Sequence, residues 1–445
     1  MTKIKMFSLS LFAFAIISCG GDTTETNTKT VGKNSNVAPG LESNTSSESS
    51  SAKDNIFRLN FSDPPTFDPA LVTDTTSASI IVEIFSGLVT LNKELDIIPD
   101  LAESWDISDD GRIYTFNLRD DIKFSNGDKV TASDFKWSIE RAANPDTGSM
   151  NAEVYLGDIV GVTEVIEAGG SLTEVSGLKV IDDKTLEITI DEPKTYFLAK
   201  LTYPTAFVLS EKYVTQQGED WIDQPVGTGP FVMTEYQIGQ TLKLKPNDNY
   251  WGEKAKVDGI IMNLAGGVSM AMYENDEVDI TGVGLADLER VKNPNDPLNK
   301  DLVNVPPQFS LNYIGFNVNM PPFDDVNFRK ALSHAVDKEI IADKIYSGLT
   351  KPAFSIIPPG FPGYSPNIEG LSFNEELAKE YLAKSKYADP ASRPRIIVTI
   401  PGTGGSPGLD TEVISDMWKE TLGVEVEIQQ VEWATYLQDM NRKRL

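Results

Sequence analysis

The sequence predicts an α/β chain organised as two lobes, and three observations carry that prediction. From Asn55 onward, short stretches of alternating apolar and polar residues interleave with stretches of helical spacing. The region from about 87 to 195 is dominated by local hairpins, and the region from Arg395 to Ile428 reads strand, helix, strand. A chain of 445 residues has room for more than one domain-sized core.

Taken in order, the chain opens with Lys3 and Lys5 before an apolar run from Met6 to Ile17. That run is too short for a membrane-spanning helix and has the length of a signal-peptide core, so residues 1–19 are expected to be a targeting segment. It ends Ile16-Ile17-Ser18-Cys19-Gly20, which resembles a bacterial lipobox, and the single cysteine of the chain is the expected site of lipidation. An ordinary secretory signal with an incidental thiol is the plainer alternative, and in either case no disulfide can form within one molecule. Residues 20–54 are Ser, Thr, Asn and Gly with almost no large apolar side chains, a composition that cannot offset its ordering entropy, and they read as a flexible linker.

Phe57, Leu59 and Phe61 then alternate as a half-buried strand. Ile80, Ile81, Ile84, Phe85 and Leu88 fall at helical spacing, with Gly87 expected to end the helix. Ser104–Ser108 and Arg112–Leu118 flank Asp109-Asp110-Gly111 as a hairpin, and Leu178–Asp182 and Thr185–Ile190 form a second. Thr131 to Asp134 reads as a capping box ahead of Phe135 and Ile139, and Asp325 and Asp337 read as helix N-caps. Arg395–Ile400, Leu409–Leu422 and a strand with Val424, Val426 and Ile428 make a βαβ unit; Val413, Ile414, Met417 and Trp418 are expected to face inward, and Gly423 to cap the helix. Between its first strand and its helix lies Pro401-Gly402-Thr403-Gly404-Gly405-Ser406, where backbone amides could receive a ligand carboxylate. A glycine-rich connector without a ligand accounts for the same residues equally well.

Composition excludes several functions. With 66 acidic against 39 basic residues, a net charge of −27 and no basic block, the chain lacks what nucleic acid requires. His334 is the sole imidazole, set on an amphipathic helix where it reads as structural, so a His-rich metal site cannot be built. A carboxylate-dependent secreted hydrolase is permitted by the many acids, but no pair is singled out. The six tryptophans fall within element patterns that explain them as packing.

The residues also resemble a known family. Ala102-Glu103-Ser104-Trp105, Asp110-Gly111, Tyr114-Thr115-Phe116, Leu118-Arg119, Phe124-Ser125-Asn126-Gly127 and Ala132-Ser133-Asp134-Phe135 are close to the signature of the extracytoplasmic solute-binding proteins of peptide ABC importers. Val226-Gly227-Thr228-Gly229-Pro230-Phe231, Asn249-Tyr250-Trp251, Gly315-Phe316-Asn317 and Pro321 to Val326 agree with it in the same order. The resemblance implies a two-lobed periplasmic-binding-protein-like (type II) fold. Lobe I would span 55–265, with a small inserted subdomain at about 87–195, and lobe II would span 266–445. It further implies a monomer that performs no chemistry and needs no cofactor. Such a protein closes by hinge motion over an extended peptide and presents it to a membrane permease driven by ATPase subunits, outside the cytoplasmic membrane. Main-chain recognition would make the specificity broad.

By position, the resemblance implies ligand contacts at Thr73, Thr75 and Tyr155, and at the loop from Gly402 through Thr403 and Gly404; a loop threonine and a core tyrosine are the plainer alternatives for the first three. In the family, the chain beyond Trp433 and Tyr436 supplies an aspartate that holds the ligand amine. Here the sequence ends at Asn441 to Leu445, so no residue takes that role and the sequence is expected to be a piece of a longer one. The same fold binding an oligosaccharide or a metal chelate is the nearest rival.

Overall fold

In a computed structural model, residues 55–305, 309–368, 370–402, 404 and 406–445 are described. Cys19 and the linker expected at 20–54 lie outside the described residues. Along the chain, β1 is Ile56–Asn60, β2 Val89–Leu91, β3 Ile97–Pro99, β4 Ala102–Ile107, β5 Ile113–Leu118, β6 Leu178–Asp182 and β7 Thr185–Thr189. They are followed by β8 at Phe231–Gln237, β9 at Thr241–Pro246, β10 at Gly259–Asn263, β11 at Ile397–Pro401 and β12 at Glu427–Val431. Three helices matter below: α1 at Thr75–Ile84, α2 at Ala132–Ala143 and α3 at Ala152–Leu156.

The chain divides into two compact units, the first running through Gly282 and the second from Val283 to Leu445. Residues just before the division fold back on β1. Arg58 forms an ion pair with Asp279 at 2.7 Å, and Asn60 donates to the Ser269 hydroxyl at 3.0 Å.

In the first unit, a four-stranded sheet has the order β1-β10-β9-β8, with β1 parallel to β10 and the rest antiparallel. The apolar face of α1, with Ile80, Ile81 and Ile84 fully buried, packs into the core that this sheet shares with Phe231, Leu242 and Ile260. Its N-cap is Asp74, whose side chain accepts from the Ser77 amide. The helix ends at Ile84 rather than at Gly87, because Phe85 leaves it in extended conformation with its amide on the Ile81 carbonyl. Gly87 serves packing instead: a Cβ there would lie 2.9 Å from the Phe207 ring.

A second antiparallel sheet, β4-β5-β7-β6, contains both hairpins read from the sequence. Its inward residues Tyr114, Phe116, Leu186 and Ile188 meet Phe135 and Ile139 of α2. Each such fully buried side chain contributes about 1.5–3 kcal/mol relative to exposure. The expected capping box is present in both directions between Thr131 and Asp134.

In the second unit, β11 and β12 pair in parallel around the helix Leu409–Leu422, as a βαβ unit requires, with Val398 opposite Ile428. Of the residues expected to face inward, Trp418 is buried, joined by Leu422, whereas Val413, Ile414 and Met417 are half-buried. Trp418 donates its indole N–H to the Leu332 carbonyl at 2.9 Å, which locks this helix to Val326–His334. Asp325 and Asp337 cap helices as read, and Asp325 also accepts from the Lys386 amide at 2.7 Å. His334 is buried, its Nδ1 2.7 Å from the Ser372 carbonyl and its ring stacked on Tyr381, a structural setting. No helix among the described residues is long and apolar enough to cross a membrane.

Candidate functional site

The loop between β1 and α1 is polar and proline-broken, and its backbone needs partners from elsewhere. Asp68, only 2% exposed, receives both guanidinium nitrogens of Arg141 at 3.0 and 2.5 Å and the Ala70 amide at 2.9 Å. The Ser149 hydroxyl donates to the Ala70 carbonyl at 2.5 Å. Asn151 donates to the Val72 carbonyl at 2.6 Å and to the Tyr203 hydroxyl at 3.1 Å, while Tyr203 itself donates to the Val72 carbonyl at 3.2 Å. The loop thus arrives at Thr73 in a fixed path.

Thr73 is half-buried and Thr75, the first residue of α1, is exposed. Asp74 between them is buried; one carboxylate oxygen caps the helix and the other, Oδ2, has no hydrogen-bond partner among the described residues. Tyr155 on α3 stacks on Tyr203, ring centroids 3.7 Å apart and planes within 5°. Tyr203 thus links Tyr155, on which it stacks, to the residue preceding Thr73, all within the first unit. Burial pushes the Tyr155 phenol up, and burial, with the charges of Tyr155 and Asp74 adding to it, pushes Tyr203 up to about 12. Both hydroxyls are therefore neutral at physiological pH.

In the second unit, the Gly402 amide donates to the Val431 carbonyl and the Gly404 amide to the Gln430 side chain, both at 2.8 Å. These two amides are engaged within the protein, and Thr403 and Gly405 lie outside the described residues. Sequence reasoning passed over Arg141, Ser149, Asn151 and Tyr203, since each acts across 52 to 131 residues or stands as an isolated polar side chain without a local pattern. A separate surface groove of about 710 Å³, lined by Glu103, Asn117, Asp120, Asp183 and Lys184 among others, has its lysine paired with Asp120.

Residues 96–445 match the family described as bacterial extracellular solute-binding proteins, family 5, middle. The chain is 30% identical over 425 residues to the dipeptide-binding protein DppE of Bacillus subtilis, covering 92% of this chain and 76% of that protein. It is 31% identical to the periplasmic oligopeptide-binding protein OppA of Escherichia coli, covering 86% of this chain and 72% of the relative. It is also 31% identical to the "Probable deoxycholate-binding periplasmic protein YgiS" of that organism, covering 87% and 73%. Among solved structures, the murein tripeptide binding protein MppA of E. coli superposes with a TM-score of 0.79 at 27% identity, covering 88% of this chain and 78% of that one. An oligopeptide-binding protein from Borrelia burgdorferi gives 0.74 at 29% identity, covering 86% and 77%. The chain belongs to the bacterial extracellular solute-binding proteins of family 5.

Proposed function

We propose that this protein captures peptides outside the cytoplasmic membrane and hands them to the permease of an ABC importer. What supports the reading is the membership of a family whose relatives include dipeptide- and oligopeptide-binding proteins, together with Tyr203, which bonds the residue before Thr73 and stacks on Tyr155. In this reading lobes at 55–265 and 266–445, the first with its insert at about 87–195, close over the ligand; the protein is a monomer that catalyses nothing; and lipid on Cys19 holds it at the membrane face. The closed state is favoured only by contacts that the ligand adds.

Isothermal titration with di-, tri- and tetra-alanine tests the capture. Saturable binding, with the peptide recovered intact by mass spectrometry, is the expected result; hydrolysed peptide, or no binding by any of the three, rejects it. A relative named for deoxycholate favours a second reading, in which the same fold holds a different solute. Deoxycholate displacing or replacing the peptides in that titration would favour it. The intact mass of membrane-extracted protein, compared with a Cys19→Ser variant, tests the anchor: a lipid increment lost in the variant is expected.

A further inference from the structure

From Ala70 onward the loop alternates in burial. Ala70, Val72 and Asp74 are buried, Leu71 and Thr73 half-buried, and Thr75 exposed. Distant side chains hold the buried positions, Ser149 for Ala70 and Asn151 with Tyr203 for Val72, with Asp68 before them held by Arg141, while Leu71 is held by its amide on the Asp68 carbonyl. This lacing fixes the path by which the segment enters the first turn of α1, and so where Thr73 and Thr75 stand. Tyr203 has a second task, because its ring fixes the plane of Tyr155 at 3.7 Å. One side chain thereby couples the path of the threonine segment to the placement of the aromatic face.

We propose that Asn151 and Tyr203 are positioning residues for ligand capture: they pin the Val72 carbonyl and so hold the path of the Thr73–Thr75 segment, while Tyr203 also holds the Tyr155 ring. The proposal rests on the peptide-capture reading above. Neither residue need touch the ligand. Their effect passes through a carbonyl that, in a segment with few other bonds, has two side-chain donors and would otherwise lie buried with its hydrogen-bonding capacity unmet.

The test uses the full chain, with di-, tri- and tetra-alanine as probes in titration calorimetry, and hydrogen exchange over residues 70–76 as a readout independent of ligand. Asn151→Ala should weaken binding about tenfold, the loss of roughly one well-formed hydrogen bond, and Tyr203→Phe, which keeps the stack, by about threefold. Both should raise exchange in 70–76. A purely structural role would leave the losses of Asn151→Ala and Thr73→Ala independent. Positioning predicts that the double variant loses less than the product of the two, because Thr73 is already misplaced. A folded Asn151→Ala protein with unchanged affinity and exchange, or independent losses in the cycle, overturns the proposal. Wild-type protein that binds none of the three probes overturns the peptide-capture reading, and the positioning role falls with it.

Discussion

Asp100 and Glu83 are the residues on which pH acts most plainly. Burial pushes Asp100 up to about 6, against the opposing pull of Trp251, the Gly87 amide and Arg119, and burial alone pushes Glu83 up to about 7. The folded protein therefore binds these protons more tightly than the unfolded chain does. Their stabilising contribution is full below the ordinary carboxylate range and is lost as pH rises through about 6 and 7. Urea midpoints should accordingly show a steeper loss of stability from pH 5 to pH 8 in the wild type than in Glu83→Gln; parallel pH profiles would contradict this. Arg141 and Asp68 give a second case. Replacing Arg141 with alanine strands a carboxylate that is 2% exposed, at a cost of about 3–5 kcal/mol, measurable by equilibrium unfolding. An Arg141→Ala protein as stable as the wild type would show that Asp68 finds another partner. Neither pair was legible in the sequence, because Arg141 stands among ordinary helix residues and its partner lies 73 positions earlier.

Elements were more legible than residues. The turn at Asp109-Asp110-Gly111, the capping box at Thr131 and the caps at Asp325 and Asp337 are written within a few residues, and all appear where the sequence puts them. Asp325→Ala should cost about 1–2 kcal/mol of stability in thermal melts, since it frees the Asn327, Phe328 and Lys386 amides together. Gly423, at φ +59° with the Lys419 carbonyl above it, closes the helix Leu409–Leu422 as read; Gly423→Ala should cost about 1 kcal/mol, and a melt that does not move would deny the left-handed cap. Strands β8, β9 and β10 were not read. In β8 the register shifts between Met233 and Glu235, which breaks the alternation a strand is recognised by. The partner of β1 is β10, some 200 residues on, with Ile56 opposite Gly259.

At the scale of the whole molecule, a net charge of −27 bears on encounter more than on fold. If peptides are the ligands, a lysine-containing tripeptide should associate faster than its glutamate counterpart at low ionic strength, and stopped-flow rates should converge as salt is raised; equal rates at low salt would remove the field as a factor. The sequence by itself determined the α/β class, both hairpins, the βαβ pairing of β11 with β12 and the helix caps at Thr131, Asp325, Asp337 and Gly423, together with the family resemblance. Those features follow from turn sterics, capping bonds and periodicity, which act over a few residues and need no knowledge of what lies opposite. The tertiary structure alone decided the pairing of β1 with β10, the lacing of the 68–72 segment to Arg141, Ser149 and Asn151, and the stack of Tyr155 on Tyr203. The β1–β10 pairing and these side-chain contacts join residues 48 or more positions apart, and their energy is realised only after the chain entropy of closing long loops has been met by packing elsewhere, so no short stretch of sequence announces them.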